Sequence, residues 1–300
     1  MSPNTARGWL AATIAIALTG CATSAPPPPR ASAGPPATGV FDVGLAGQAA
    51  PFEAFTRRAA AIDATFANPT EIGAQLRTAA GYEPKQLEAG MIAYAAMAAM
   101  QEPRFVQTVK AGGRDLGRRL AADPNAAVDL PGGAAAAARA NAALARRGEA
   151  LAGAGARVKK TSYSIQHQAW SRARVPNGPQ RLAAVKQAAG YRAEATDRAR
   201  LTAALSEGGR RGGPSPVIAR GVAVAALTVL GQDTAARNLM SERNAGMCLR
   251  SAKLNYHQCL AAAGTHYEDI YCLGVHAMSD PGQCVMEATK PARTRRAALD

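Results

Sequence analysis

The segment CLRSAKLNYHQCLAAAGTHYEDIYCLGVHAMSDPGQC, residues 248–284, decides the fold of the C-terminal part of this 300-residue chain. It contains four of the five cysteines, spaced by eleven, thirteen and twelve residues. An even, clustered set of cysteines is typical of disulfide-bonded proteins outside the reducing cytosol. Eleven residues span about three turns of an α-helix, so Cys248 and Cys259 lie on nearly the same helix face. Residues 261–265 then supply a turn before a second helix.

A helical hairpin places the two inner cysteines opposite each other, and likewise the two outer ones. The spacing therefore predicts the disulfides Cys259–Cys272 and Cys248–Cys284. Each bridge is expected to contribute about 2–4 kcal/mol to stability. The device resembles the twice-stapled hairpin of coiled-coil-helix-coiled-coil-helix proteins. The cysteine gaps differ from those of that family, so the resemblance implies no kinship.

The rest of the chain also predicts helices. Apolar residues recur at intervals of four, three and four on one helical face: Leu87, Met91, Tyr94 and Ala98. Pro84, Pro69 and Pro51 each suit the first turn of a helix, where the missing N–H costs nothing. Further helices are predicted over residues 104–122, 134–154, 158–174, 179–207, 216–230 and 233–256. Because β-type alternation is almost absent, the sequence predicts an all-α multi-helix bundle with a disulfide-stapled C-terminal hairpin.

Glycine and proline mark the candidate boundaries. Residues 41–207 are interpreted as a helical domain and residues 214–290 as a helical subdomain with the four cysteines. Between them, residues 208–213 form either a flexible Gly/Arg-rich linker or a long loop within one bundle. Residues 216–230 are the most apolar internal stretch, and they are too short to span a bilayer. They are therefore expected to form a buried central helix.

A different signal lies at the start of the chain. Arg7 precedes a short apolar run, and the residues Leu18-Thr19-Gly20-Cys21 follow it. A basic flank, a short apolar segment and small residues at a cut are typical of a signal peptide, here residues 1–20. The cysteine directly after the small residues resembles the lipobox of bacterial lipoproteins. That resemblance implies cleavage before Cys21 and acylation of its sulfur and new amino terminus.

The resemblance also carries a prediction of location. In such lipoproteins the residue after the lipidated cysteine influences sorting, and Asp there often retains the protein in the inner membrane. Ala22 at this position favours the outer membrane, facing the periplasm. Residues 21–40, with four consecutive prolines at 26–29, are expected to form an extended tether. Residues 291–300 form a basic tail.

The charge balance points to anionic partners. Without residues 1–20 the chain has 34 basic and 21 acidic side chains, a formal charge of +13. Lipid head groups or an acidic cell-wall polymer are candidates for such a surface. Abundant arginine spread along the chain is the alternative explanation. No RNA-binding signature is present, so no specific nucleic-acid partner is predicted.

No cofactor or metal site is predicted. Structural zinc sites use closely spaced cysteine pairs, and haem attachment uses Cys-x-x-Cys-His, and neither pattern occurs. The alternative metal site is a set of side chains that could converge at the hairpin turn: His257, His266 and Asp269.

The sequence predicts no catalytic residue, since the motifs of the common hydrolases and phosphate-binding loops are absent. Tyr163, His167, Trp170 and Arg174 recur at helical spacing and could line a pocket or bind a sugar. The alternative is that Trp170 anchors the core while His167 and Arg174 lie at its rim. Three acids could serve as general acids, but nothing in their surroundings sets them apart from solvated helix carboxylates: Glu88, Glu102 and Glu149.

These observations lead to one hypothesis and two alternatives. The hypothesis is a non-enzymatic envelope lipoprotein, anchored to the membrane by acyl chains and docking an envelope protein partner. The first alternative is a cell-wall or lipid-active enzyme with a pocket near Tyr163. The second is a small-ligand or metal carrier built on the C-terminal hairpin.

Overall fold

The computed structural model describes residues 43–291. The predicted signal peptide, Cys21, the predicted tether and residues 292–300 of the tail lie outside this range. Helices make up most of the described chain: α1 (Val43–Ala60), α2 (Pro69–Ala79), α3 (Pro84–Ala99), α4 (Pro103–Ala111), α5 (Gly113–Ala122), a 3₁₀ turn (Pro124–Ala127), α6 (Gly133–Ile165), α7 (Ala169–Arg172), α8 (Gly178–Gln187), α9 (Asp197–Ser206), α10 (Pro216–Val229), α11 (Asp233–Asn238), α12 (Arg243–Ala262), α13 (His266–Cys272), a π-helical segment (Leu273–Ser279) and α14 (Asp280–Ala288).

The all-α prediction is confirmed. Within residues 43–291 the only extended pairing is an isolated bridge between Arg174 and Thr265. Prolines fix the start of several helices, because a residue without an N–H costs no hydrogen bond in a first helical turn. Pro69, Pro84 and Pro216 each open a helix, and the preceding residue caps it with a side-chain oxygen.

The centre of the core is formed by α3 and α10. Helix α3 packs against α1, α6, α10 and α12, so it is buried on almost every side. Helix α10 is buried from Val217 to Leu227 except for Arg220. The apolar stretch of residues 216–230 is thus a central helix, as predicted. Alanine-rich faces let these helices approach closely, as at Gly221, where an added Cβ would lie 2.7 Å from the Ala95 Cβ.

Some predicted helix boundaries are wrong. Pro51 lies inside α1 instead of opening a helix. The helix predicted over residues 104–122 is divided at Gly113, whose φ of +63° interrupts the helical backbone. The two helices predicted over residues 134–154 and 158–174 are instead one long helix, α6, which ends at Ile165.

The C-terminal part is the doubly stapled hairpin that the cysteine spacing predicts. Its first arm is α12, and its second arm is continuous over residues 266–288, with the π-helical segment between α13 and α14. Cys248 is bonded to Cys284, with the Cα atoms 5.7 Å apart. Cys259 is bonded to Cys272, with the Cα atoms 5.6 Å apart.

All described residues belong to one compact unit, and residues 208–213 form a loop within it. This loop lies against α6, since the Arg211 amide donates to the Ala138 carbonyl oxygen at 3.0 Å. The Arg210 guanidinium lies 2.6 Å from the Glu102 carboxylate. Within residues 43–291 none of the helices has both the length and the apolar character that crossing a membrane requires.

Candidate functional site: a cleft beside helix α2

The aromatic stripe predicted over residues 163–174 is not one helical face. Because α6 ends at Ile165, Tyr163 lies on α6 while Trp170 lies on the short helix α7. Trp170 packs against the core, and its indole N–H donates to the Gln168 side-chain oxygen at 2.5 Å. His167 and Arg174 are exposed. Tyr163 instead makes an edge contact with Tyr271, at 6.0 Å between ring centroids.

The alternative metal site does not assemble. No group of three His, Cys, Asp or Glu side chains in the described part of the chain is placed to hold an ion. His257 has a buried Nε2 without a hydrogen-bond partner among residues 43–291, and burial lowers its pKa to about 4. His266 and Asp269, by contrast, line the same cavity.

The three acids considered as general acids have structural partners. The Glu88 carboxylate accepts from the Ser241 hydroxyl at 2.8 Å and the Glu242 amide at 2.6 Å, next to the start of α12. Glu102 is buried and binds the guanidinium groups of two arginines. Glu149 forms an exposed ion pair with Arg211.

A cavity of about 370 Å³ lies between α2, α8 and the N-terminal end of α13. This volume falls within the range of small-molecule sites, about 300–1,000 Å³. Most of its wall is apolar and comes from α2, α8 and the loop after α7: Ile72, Leu76, Val175, Pro176, Ala184 and Val185. The loop is held in place by the Val175 amide, which donates to the Gly264 carbonyl oxygen at 2.9 Å.

Besides Thr70 and Arg77, the polar part of this wall is an ion pair beside a histidine. Arg181 lies 2.6 Å from the Asp269 carboxylate, and its guanidinium also donates to the Leu260 carbonyl oxygen. Burial raises the pKa of Asp269 to about 6, although Arg181 acts in the opposite direction. Burial, with a smaller effect of Arg181, lowers the pKa of His266. At neutral pH this part of the wall therefore carries a compensated ion pair and a neutral imidazole.

A second and wider cleft of about 690 Å³ adjoins the apolar cavity, and Arg77 and Ala184 line both. Its charged lining residues are three arginines and one acid: Arg58, Arg77, Arg192 and Glu194. We call the apolar cavity and this basic cleft together the α2–α8 cleft.

The charges of the basic part are unequally compensated. Arg58 binds Asp197 at 3.0 Å and Glu194 at 2.8 Å, so its charge is balanced within the protein. The side chains of Arg77 and Arg192, in contrast, make no hydrogen bond or ion pair to any other described residue. The cleft therefore offers two uncompensated guanidinium groups next to an apolar cavity, which suits a ligand with an anionic end and an apolar end.

Comparison with known proteins adds no relative: no protein-family model, no curated protein and no solved structure matches the chain.

Sequence reasoning identified His266 and Asp269 but missed Arg77, Arg181 and Arg192. These arginines carry no local signal, because basic residues are spread along the whole chain. Arg77 lies on α2, Arg181 on α8 and Arg192 between α8 and α9, so tertiary structure is needed to bring Arg77 close to the other two. The local signal near the cleft is the turn before α8, which Pro176, Asn177 and Gly178 indicate.

Proposed function

We propose that the protein is a non-enzymatic lipoprotein of the bacterial cell envelope that is anchored through Cys21 and docks an envelope protein partner. Its expected location is the outer membrane, facing the periplasm. The observation that carries the proposal is the lipobox resemblance at Leu18-Thr19-Gly20-Cys21 in a chain whose other four cysteines form two disulfides. Both features suit an exported protein, because disulfides form and persist in oxidising compartments.

The non-enzymatic part of the proposal is supported by the use of the buried acids. Five acidic side chains are buried among the described residues: Glu53, Glu88, Glu102, Asp197 and Asp269. Four of them pair with arginines. Glu88 accepts hydrogen bonds near the start of α12. Four of these carboxylates lie outside the lining of the α2–α8 cleft and are engaged in contacts within the fold. Asp269 lines the apolar cavity, but its carboxylate is bound by Arg181, so proton transfer to a substrate would have to disrupt that ion pair.

Intact-mass measurement of the protein from its host membranes tests the anchor. We expect a chain that lacks residues 1–20 and carries added acyl mass, and a Cys21→Ala variant that carries none. An unmodified full-length wild-type chain would refute the lipoprotein assignment.

In-cell crosslinking of the tagged wild-type chain, followed by mass spectrometry, tests the docking role. We expect reproducible recovery of one envelope complex, and its loss in Cys21→Ala. Ala22→Asp is the matched control, because it keeps the acyl chains while favouring retention in the inner membrane. Recovery of the same complex from both variants would show that anchoring does not direct docking.

A further inference from the structure

We propose that the α2–α8 cleft binds a free single-chain amphiphile, with the alkyl chain in the apolar cavity and an anionic head group between Arg77 and Arg192. This inference goes beyond the docking role and does not depend on it. A fatty-acid-type carboxylate is the simplest ligand of this class. The inference rests on the two halves of the cleft, which have complementary chemistry and share one wall.

The apolar half is suited to a hydrocarbon chain. Ile72, Leu76 and Val185 lie behind the wall and are almost completely buried, while Val175, Pro176 and Ala184 are more exposed and supply apolar surface that a ligand can contact. Apart from Arg77 at the junction, the charged members of the wall add no net charge, since Arg181 and Asp269 compensate each other at 2.6 Å. Transfer of a chain from water into such a site is favourable by about 0.8 kcal/mol for each buried CH₂ group.

The basic half is suited to the head group. Arg77 stands at the junction, because it lines both the apolar cavity and the basic cleft. Arg192 also lines the basic cleft, and its backbone carbonyl oxygen accepts from the Arg58 guanidinium at 3.3 Å. The one acid of the lining, Glu194, is already bound by Arg58 and Arg200. An anion entering the cleft therefore meets two guanidinium groups and no free carboxylate within the lining.

Isothermal titration calorimetry of residues 21–300 carrying Cys21→Ala tests the proposal, because that chain lacks both the acyl groups and the apolar segment of residues 1–20. The probes are dodecanoate below its micelle concentration, dodecanol and inorganic phosphate. We expect saturable binding of dodecanoate at one site. Dodecanol and phosphate should each bind at least about tenfold more weakly, since each lacks one of the two interactions.

Two variants locate the site. Combined Arg77→Gln and Arg192→Gln should weaken dodecanoate binding by about tenfold or more, because two charge-assisted contacts are lost. The control is Arg198→Gln, which removes an exposed arginine on α9 that does not line the cleft. This variant should bind dodecanoate as tightly as the unchanged chain. Gly73→Leu should abolish binding by filling the cavity, since a Cβ at Gly73 has no neighbour closer than the Arg77 Nη1 at 3.6 Å.

Gly153→Leu is the matched control for the filled cavity. Gly153 also lies on a helix with only an arginine Nη1 near its added Cβ, at 3.8 Å, but it does not line the cleft. Circular dichroism and disulfide mapping verify the fold of each variant. If dodecanol bound as tightly as dodecanoate, the site would not require an anionic head group, and the proposal would be wrong. If phosphate bound as tightly as dodecanoate, the site would not require an alkyl chain, and the proposal would again be wrong. Unchanged dodecanoate binding by both cleft variants, or no binding at all, would overturn the site.

Discussion

Lys253 shows how a single buried charge is held in this fold. Its ammonium group donates to the carbonyl oxygens of Ala80 at 2.6 Å and Tyr82 at 3.1 Å. It also lies 4.3 Å from the centroid of the Tyr82 ring. Ala80 is the C-cap of α2, so the positive charge is placed at the negative end of a helix dipole. Burial nevertheless lowers the pKa of Lys253 to about 8.

This lowered pKa predicts that the protein becomes more stable as the pH rises from 7 to 9.5. In this interval the unfolded chain binds more protons at Lys253 than the folded chain, so deprotonation favours the folded state. For a pKa of about 8 against 10.5, the gain is on the order of 2 kcal/mol. Denaturant unfolding at both pH values should show it in the wild type and not in Lys253→Met.

Ionisation of tyrosines and other groups acts on both chains, so the informative quantity is the difference between their pH dependences. Equal pH dependence in wild type and Lys253→Met would mean that Lys253 titrates normally in the folded state.

The contact between α6 and the second arm of the hairpin depends on glycine. A Cβ on Gly155 would lie 2.6 Å from the Gly274 carbonyl oxygen and 2.5 Å from the Ser279 Oγ. On the other side, a Cβ on Gly274 would lie 2.5 Å from the Lys159 backbone nitrogen. Backbone therefore packs directly on backbone where the second arm is π-helical. In such a segment each backbone hydrogen bond spans five residues instead of the four of an α-helix.

Gly155→Ala should consequently destabilise the protein by about 1–3 kcal/mol, the usual cost of overpacking a tight contact. Gly153→Ala on the same helix should stabilise it by about 0.5–1 kcal/mol, because alanine favours the helix and the added Cβ meets only the end of a flexible arginine at 3.8 Å. Thermal and denaturant unfolding of the two variants measures both changes in stability, the expected loss for Gly155→Ala and the expected gain for Gly153→Ala. A stabilised Gly155→Ala variant would show that the two helices can move apart at little cost.

The two disulfides of the hairpin should contribute unequally. Cys248–Cys284 joins residues 36 apart in the sequence, and Cys259–Cys272 joins residues 13 apart. A larger closed loop removes more entropy from the unfolded chain, giving about 4 kcal/mol for the outer bridge and about 3 kcal/mol for the inner one. Denaturant unfolding of the two double Cys→Ala variants should therefore show the larger loss for the outer bridge. A larger loss of stability on removal of the inner bridge would mean that packing around this bridge in the folded state outweighs the loop entropy of the unfolded chain.

The elements that could be predicted from the sequence are those with strong local signals. The cysteine intervals specified the hairpin pairing, and Pro84 and Pro216 marked the starts of α3 and α10. The continuity of α6 through residues 154–158 could not be predicted, because Gly153 and Gly155 resemble a helix break in the sequence. Only the tertiary structure shows that Gly155 is needed for the close contact with Gly274. The α2–α8 cleft was equally hidden, since its charge depends on which arginines tertiary structure leaves without an acidic partner.

At the scale of the whole molecule, the N-terminal and C-terminal parts share one core. Helix α3 packs against α10 and α12, which follow the 208–213 loop in the chain. The side-chain amide of Asn141, on α6, donates to the carbonyl oxygens of Gly213 at 3.0 Å and Thr289 at 2.7 Å. The parts separated at residues 208–213 therefore cannot come apart without exposing α3 and leaving buried polar groups unpaired.

Residues 43–291 should for this reason unfold in one cooperative transition. The calorimetric enthalpy of the disulfide-intact chain is expected to equal the van't Hoff enthalpy, as for a single domain. Limited proteolysis gives an independent readout. If the protease cuts the loop at residues 208–213, the two segments should stay associated, because α3 and α10 pack against each other. Two separate thermal transitions, together with two proteolytic fragments that separate and each keep helical structure, would show instead that these residues link two independently stable domains.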